Sequence, residues 1–295
     1  VILWRAALPG AGATQAPVFR ASVEMVRVDV SVTRGGTPVA GLLPDHFEVL
    51  DNGVVQTIDR VSREEVPLRL LLALDTSGSV AGERLRALVD AAQTLVRALR
   101  PDDQVGLLTF DRAIRLAMAP TLAHAEVIGA LDRLEAAGPT AWRDALFTGL
   151  QLVGDAAEAR PVVLLFTDGH DTTSWIAPTA IDEIVRRSGV VLHAVGLATT
   201  RRDITDDRWR GPDDPGPSRS LLEAVDAGGG RVWSAESTSA LRHLFTGALD
   251  ELRARYLVVY ARQGTTAPGW HDVDVRLKGV RGDVRARPGY YVAAK

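Results

Sequence analysis

The stretch LLALDTSGSV, Leu71 to Val80, decides how this chain is read. Apolar residues run into Asp75, and the hydroxyls of Thr76, Ser77 and Ser79 follow around Gly78. A run that is apolar at every position, instead of at every second one, fits a strand covered on both faces, as in a parallel sheet. Ligands of open parallel sheets sit beyond the carboxyl ends of the strands. Asp75, Ser77 and Ser79 fall there.

Outward from this stretch, apolar strands alternate with amphipathic, helix-length runs from about Pro67 to Arg253. In order they read as a strand LRLLLALD, a helix from about Glu83 to Leu99, a strand QVGLLTFD and a short strand IRLAMA. Helices follow over His124–Ala136 and Asp144–Ala157, then a strand PVVLLFTD, a helix over Thr179–Arg187 and a strand VVLHAVGL. A helix near Leu221, a strand RVWSA and a helix from Ser239 to Leu252 complete the run. The pattern predicts an α/β domain, 67–253, with a doubly wound, mostly parallel sheet. The flanks, 23–66 and 254–295, read instead as short alternating strands and turns, with Asp51-Asn52-Gly53 as a hairpin signal. Each flank is thin for a core of its own. The two are therefore expected to pack together as a small β-sandwich, with the α/β domain inserted between them.

Composition narrows the function. The net charge of -3 leaves no basic footprint for nucleic acid, and the absence of cysteine removes disulfides, thiol nucleophiles and cysteine metal sites. No segment approaches the roughly 20 apolar residues of a membrane span. Residues 1–22 hold a short apolar run followed by Ala13-Thr14-Gln15-Ala16, which reads as the remnant of a secretory signal or a disordered N-terminus. The expectation is an exported protein, periplasmic, secreted or on the cell surface.

Two further polar positions fall on the same sheet edge: Thr140, in GPTAWRDAL, opens a helix, and Asp168, in LLFTDGHD, ends a strand. Asp75, Ser77, Ser79, Thr140 and Asp168 together form an all-oxygen donor set, which suits a hard ion such as Mg2+, with Mn2+ or Ca2+ as substitutes. The three hydroxyls are neutral. An ion held this way is short of negative charge and can accept one more oxygen, preferably a carboxylate.

At these residues the sequence resembles the von Willebrand factor A domain, whose metal-ion-dependent adhesion site reads Asp-x-Ser-x-Ser, then a distant Thr, then a distant Asp. The resemblance implies direct coordination by Ser77 and Ser79 and, with ligand bound, by Thr140. Asp75 and Asp168 would bind directly or through water. The flanking stretches PVAGLLPDHFEVLDNGVVQTI and ELRARYLVVYARQGTTAPGWHDVDVRL, with VRARPGYY, are similar to the von Willebrand factor A-related proteins recorded mostly from Acidobacteria. That similarity implies an exported bacterial protein.

Around the site, Asp111 ends a strand and Asp144 sits in a first helical turn, where a carboxylate favours the helix dipole without any metal. Both are candidates for the shell behind the ligands. Trp142, Trp175 and Trp209 are candidate partner contacts, set against burial of each ring in its own loop. The long polar segment around Trp209, 199–218, emerges on the metal edge and offers Asp206 and Asp207 as internal ligands. His170 and His193 lack a second histidine at metal-ligand spacing. Arg281-Gly282-Asp283 reads as a turn.

Three functions compete. A binding module would take an Asp or Glu of a partner protein onto the metal. A structural or assembly subunit of an exported complex would use the ion mainly to steady the fold. A phosphoryl-transfer hydrolase of the haloacid dehalogenase type would need a second carboxylate two residues after Asp75, where Ser77 stands, and neither a Gly-x-Ser-x-Gly elbow nor a Gly-x-Gly-x-x-Gly turn is present at the strand end. The sequence favours the binding module over any enzyme.

Overall fold

The computed structural model describes residues 25–63, 66–154, 159–167, 171–197, 217–235, 237–264 and 267–293. The expected leader 1–22, Asp168, His170, Trp209 and nearly all of 199–218 lie outside them. Five strands come first: β1 (Met25–Arg34), β2 (Thr37–Pro38), β3 (Phe47–Asp51), β4 (Val54–Gln56) and β5 (Ile58–Ser62). The α/β part follows as β6 (Leu68–Asp75), α1 (Glu83–Ala98), β7 (Gln104–Phe110), β8 (Ile114–Thr121), α2 (His124–Leu131) and α3 (Trp142–Val153). It continues with β9 (Arg160–Thr167), α4 (Pro178–Ser188), β10 (Val191–Leu197), α5 (Pro217–Ala227), β11 (Val232–Ala235) and α6 (Leu241–Arg253). Four strands close the chain: β12 (Tyr256–Ala261), β13 (Gly269–Leu277), β14 (Asp283–Ala286) and β15 (Gly289–Val292).

The central sheet has the order β11-β10-β9-β6-β7-β8, parallel throughout except for β8, which closes one edge antiparallel. Alternation along β6 explains its unbroken apolar run. Leu70, Leu72 and Leu74 enter a core with Leu88 and Leu95 of α1 and Phe245 and Leu249 of α6. Leu71 and Ala73 enter a second core on the opposite face with Leu146 of α3, Ile181 of α4 and Leu221 of α5. Full burial of one such leucine contributes about 2 kcal/mol, so a polar residue anywhere from Leu70 to Leu74 would be costly on either face. The chain leaves β6 for β7 on one side and returns to β9 on the other. The carboxyl end of β6 is thus the switch point of the sheet, where a crevice opens.

Two helices differ from their expected bounds. α2 stops at Leu131, well short of Ala136, because the chain beyond it is drawn into a ladder with the loop after β6. Ala137 N–H donates to Thr76 O at 2.9 Å, and Gly78 N–H donates to Gly138 O at 2.9 Å. Gly138 has φ 82°, a left-handed conformation that a side chain would strain. α3 begins at Trp142, before the expected Asp144, and ends at Val153.

The strands of the two flanks pair with each other. One sheet has the order β14-β1-β12-β5, with β2 also on β1, and the other β15-β13-β3-β4. In the first, Val28 stands opposite Val258 and Val30 opposite Tyr256. In the second, Val49 stands opposite Val275. Alternate residues of both sheets, among them Val28, Val30, Phe47, Tyr256, Val258 and Val275, share a third apolar core. β3 and β4 form a two-residue hairpin through Asn52 (φ 48°) and Gly53 (φ 78°), the paired positive φ values of a type I′ turn. The tail stretch DVRARPGYYV divides at Pro288 between the two sheets, β14 pairing with β1 and β15 with β13. Arg281-Gly282-Asp283 is the turn leading into β14, and its Arg281 carbonyl accepts the Arg34 guanidinium at 2.8 Å. Among the described residues no helix is long and apolar enough to cross a membrane.

Candidate metal centre

β6 delivers Asp75 to the sheet edge fully buried. Its Oδ1 accepts the Ser77 N–H at 2.8 Å, and its Oδ2 accepts the hydroxyl of Thr167, the last residue of β9, at 2.9 Å. The carboxylate is therefore aimed by its own loop and by the neighbouring strand. Thr76 turns away from it: its N–H and its hydroxyl both donate to Phe110 O, at 2.7 and 3.1 Å, anchoring the loop to the end of β7. A short 3-10 turn over Gly78–Val80 follows an extended Ser77 and brings Ser77 Oγ to 2.9 Å from Ser79 Oγ. Ser77 is buried and Ser79 exposed, so the pair spans the boundary between core and solvent.

The 137–138 ladder sets the chain carrying Thr140 beside this loop. Thr140 is buried, donates its N–H to Thr172 Oγ1 at 3.1 Å and accepts the Thr172 N–H at 2.9 Å. Asp75, Ser77 and Ser79 thus share one edge with the segment of Thr140, while Asp168 follows directly on Thr167 in sequence. Among the described residues, no group of three His, Cys, Asp or Glu gathers to hold a metal ion. Any ion at this edge rests on hydroxyl oxygens as well as carboxylates.

The remaining candidates separate. Asp111 stands on the same edge, close to Gly138, but its carboxylate is engaged by the Ala113 N–H at 2.6 Å and the Arg115 guanidinium at 2.8 Å. Burial pushes its carboxyl up, and those two bonds outweigh burial and hold it below its usual value. Asp144 accepts the N–H groups of Trp175 at 2.9 Å and Ile176 at 3.0 Å, fastening the loop after β9 to the first turn of α3. Trp142 does not reach a partner. Its ring is wholly buried in the core under α3, because position 142 faces the sheet. Trp175 is 96% exposed. His193 is a buried strand residue stacked on Trp233 at 4.8 Å.

Sequence reasoning missed Thr167 and Asp171. Asp171 accepts the Arg143 N–H at 3.0 Å, the Ser174 hydroxyl at 2.7 Å and the Ser174 N–H at 3.0 Å, and pairs with the Arg143 guanidinium at 3.3 Å in a nearly closed site. The signal was available in Asp171-Thr172-Thr173-Ser174, an Asx-turn pattern. Thr167 carried no signal beyond its place one residue before Asp168.

Residues 70–170 match the family model of the von Willebrand factor type A domain. The matched stretch runs from β6 to the end of β9. A UPF0353 protein of Mycolicibacterium gilvum is 26% identical over 224 residues, covering 68% of this chain and 64% of that protein. The protein YfbK of Escherichia coli is 31% identical over 155 residues, covering 48% of this chain and 26% of that protein. The chain therefore spans less than two thirds of these relatives. Among solved structures, proximal thread matrix protein 1 of the mussel byssus, with a zinc-occupied MIDAS motif, superposes with TM-score 0.54 at 18% identity, covering 69% of this chain and 50% of that one. A von Willebrand factor type A protein of Catenulispora acidiphila superposes with TM-score 0.51 at 12% identity, covering 93% of this chain and 74% of that one. At these identities the likeness is one of fold.

Proposed function

We propose that this chain is a metal-dependent protein-binding module of the adhesion type. A divalent cation, Mg2+ by preference, is held by Asp75, Ser77, Ser79, Thr140 and Asp168, and an Asp or Glu of a partner protein supplies its last oxygen. No bond is made or broken. The observation that carries this reading is the 2.9 Å between Ser77 Oγ and Ser79 Oγ. Neighbouring ligands of an octahedral Mg2+, each 2.0–2.1 Å from the ion, stand about 2.9 Å apart, whereas the longer bonds of Ca2+ would spread them to about 3.3 Å or more. The same 2.9 Å is also an ordinary hydroxyl hydrogen bond, so the pair is compatible with a small hard ion without selecting one. The N-terminus of α3, which begins two residues after Thr140, favours negative charge at the same edge.

The flanking sheets are read as a small β-sandwich that displays the α/β domain, in an exported bacterial protein akin to the von Willebrand factor A-related proteins of Acidobacteria. A structural or assembly role is the second reading, favoured by the bonds from Ser77 and Thr167 that fix Asp75 from within the protein. The two readings part in one experiment. Peptides displaying Asp or Glu are selected on the immobilised full chain in Mg2+ and washed with EDTA. A binding module retains peptides that EDTA releases and that fail when their carboxylate becomes an amide. Retention indifferent to EDTA and to Asp75→Ala contradicts the proposal.

A further inference from the structure

Trp175 is almost wholly exposed, yet the backbone on both sides of it is fixed. Asp144 accepts its N–H at 2.9 Å and that of Ile176 at 3.0 Å. Ahead of it, Asp171 accepts the N–H and the hydroxyl of Ser174, and the Ser174 hydroxyl accepts the Asp144 N–H at 3.2 Å. Behind it, the Ile176 carbonyl accepts the Arg143 guanidinium at 2.7 Å. A covered aromatic ring buries about 150–250 Å2. Left in water, this ring contributes next to nothing to the fold, while two carboxylates and an arginine hold the chain that carries it.

The same loop is tied to the metal edge. Thr172 exchanges two hydrogen bonds with Thr140, at 3.1 and 2.9 Å. Only three residues of chain lead from Thr172 to Trp175, a reach of at most about 11 Å, so Trp175 borders that edge. Phe147, 41% exposed, lies on α3 one turn beyond Asp144 and extends the apolar surface. The charged groups beside them are engaged: the Asp144 carboxylate by the two loop amides, the Arg143 guanidinium by Asp171 at 3.3 Å and the Ile176 carbonyl. An apolar surface therefore adjoins the candidate metal site.

We infer that Trp175 is the apolar anchor of the ligand face: the partner segment that places an Asp or Glu on the metal also lays a large apolar or aromatic side chain on the Trp175 ring. The inference rests on the metal-dependent reading above. An extended segment advances about 3.3 Å per residue, which puts that side chain within about four residues of the carboxylate. A tryptophan on a backbone already fixed suits the role, since little ordering is left to oppose binding. The test selects peptides with a fixed Asp between random flanks on the immobilised full chain in Mg2+. Peptides released by EDTA are expected to be enriched in Trp, Phe, Tyr or Leu within about four positions of the Asp, and to bind Trp175→Ala at least about tenfold more weakly than the parent. Trp175→Phe is expected to keep most of the affinity, and Mg2+ binding is expected to be the same in all three forms. EDTA-released peptides that lack the enrichment, or that Trp175→Ala binds as tightly, overturn this inference and leave the metal-dependent reading standing. Absence of any EDTA-released peptide overturns both. Loss of Mg2+ binding in Trp175→Ala would assign the ring to the metal site itself, and a dimer of the full chain that Trp175→Ala dissociates would assign it to a second copy; either result overturns the inference.

Discussion

Asp75, Trp142 and Trp175 show how far a residue's chemistry depends on which way it faces. Asp75 ends β6 with each carboxylate oxygen bonded, one to the Ser77 N–H and one to the Thr167 hydroxyl. The motif in the sequence reported the first aspartate and both serines, and geometry added only the threonine that aims it. For the tryptophans, the sequence left partner contact and burial both open, and the structure separates Trp142 from Trp175. Trp142 belongs to the helix face that meets the sheet, and Trp175 to a loop with 96% of its surface open. Trp142→Ala is expected to lower stability by about 3–5 kcal/mol through loss of packing. Trp175→Ala is expected to change it by less than about 0.5 kcal/mol, as for surface positions generally. Urea unfolding curves with matched slopes check both. Equal losses at the two positions would contradict the assignment.

At the scale of elements, the apolar strands β6, β7, β9 and β10 were legible because burial on both faces leaves no other pattern. The hairpin at Asn52-Gly53 was legible because its two positive φ values demand those residues. The early end of α2 was not. Nothing between Asp132 and Ala136 breaks a helix, and the chain leaves it because Ala137 and Gly138 bond to the loop after β6, a contact between distant segments. The loop after β9 was equally hidden, since its order comes from Asp144 and Asp171 acting as acceptors for its backbone. Asp144→Ala removes the acceptor of the Trp175 and Ile176 amides. Bonds to a charged acceptor contribute about 1.5–3 kcal/mol each, so exchange of those two amides is expected to quicken by at least about tenfold. Unchanged protection would mean that the loop is held otherwise.

Across the whole molecule, the two flanking segments meet in sheets whose pairing no local pattern announces: β1 with β12, and β3 with β13. At the centre of that unit Asp51, fully buried, accepts Tyr260 OH at 2.9 Å and Tyr290 OH at 2.6 Å, and His271 Nδ1 stands 2.7 Å from its other oxygen. Burial pushes its carboxyl up, but the bonds from Tyr290, His271 and Tyr260 prevail and hold it below the usual value. A depressed folded value means that this carboxylate stabilises the fold above the unfolded value of about 4. That contribution is lost as pH falls through the lower, folded value. Asp51→Asn is expected to flatten the acid limb of the stability curve, read from unfolding free energies at stepwise lower pH. A limb as steep as the parent's would place the acid sensitivity elsewhere. The central claim is the metal edge, and isothermal calorimetry tests it most directly. Metal-free protein is titrated with Mg2+ beside Asp75→Ala, and each form is melted. The account predicts saturable binding in the parent and none in the variant, which still folds but melts lower because the Ser77 N–H and the Thr167 hydroxyl lose their acceptor. Absence of Mg2+ binding by the folded parent would contradict it.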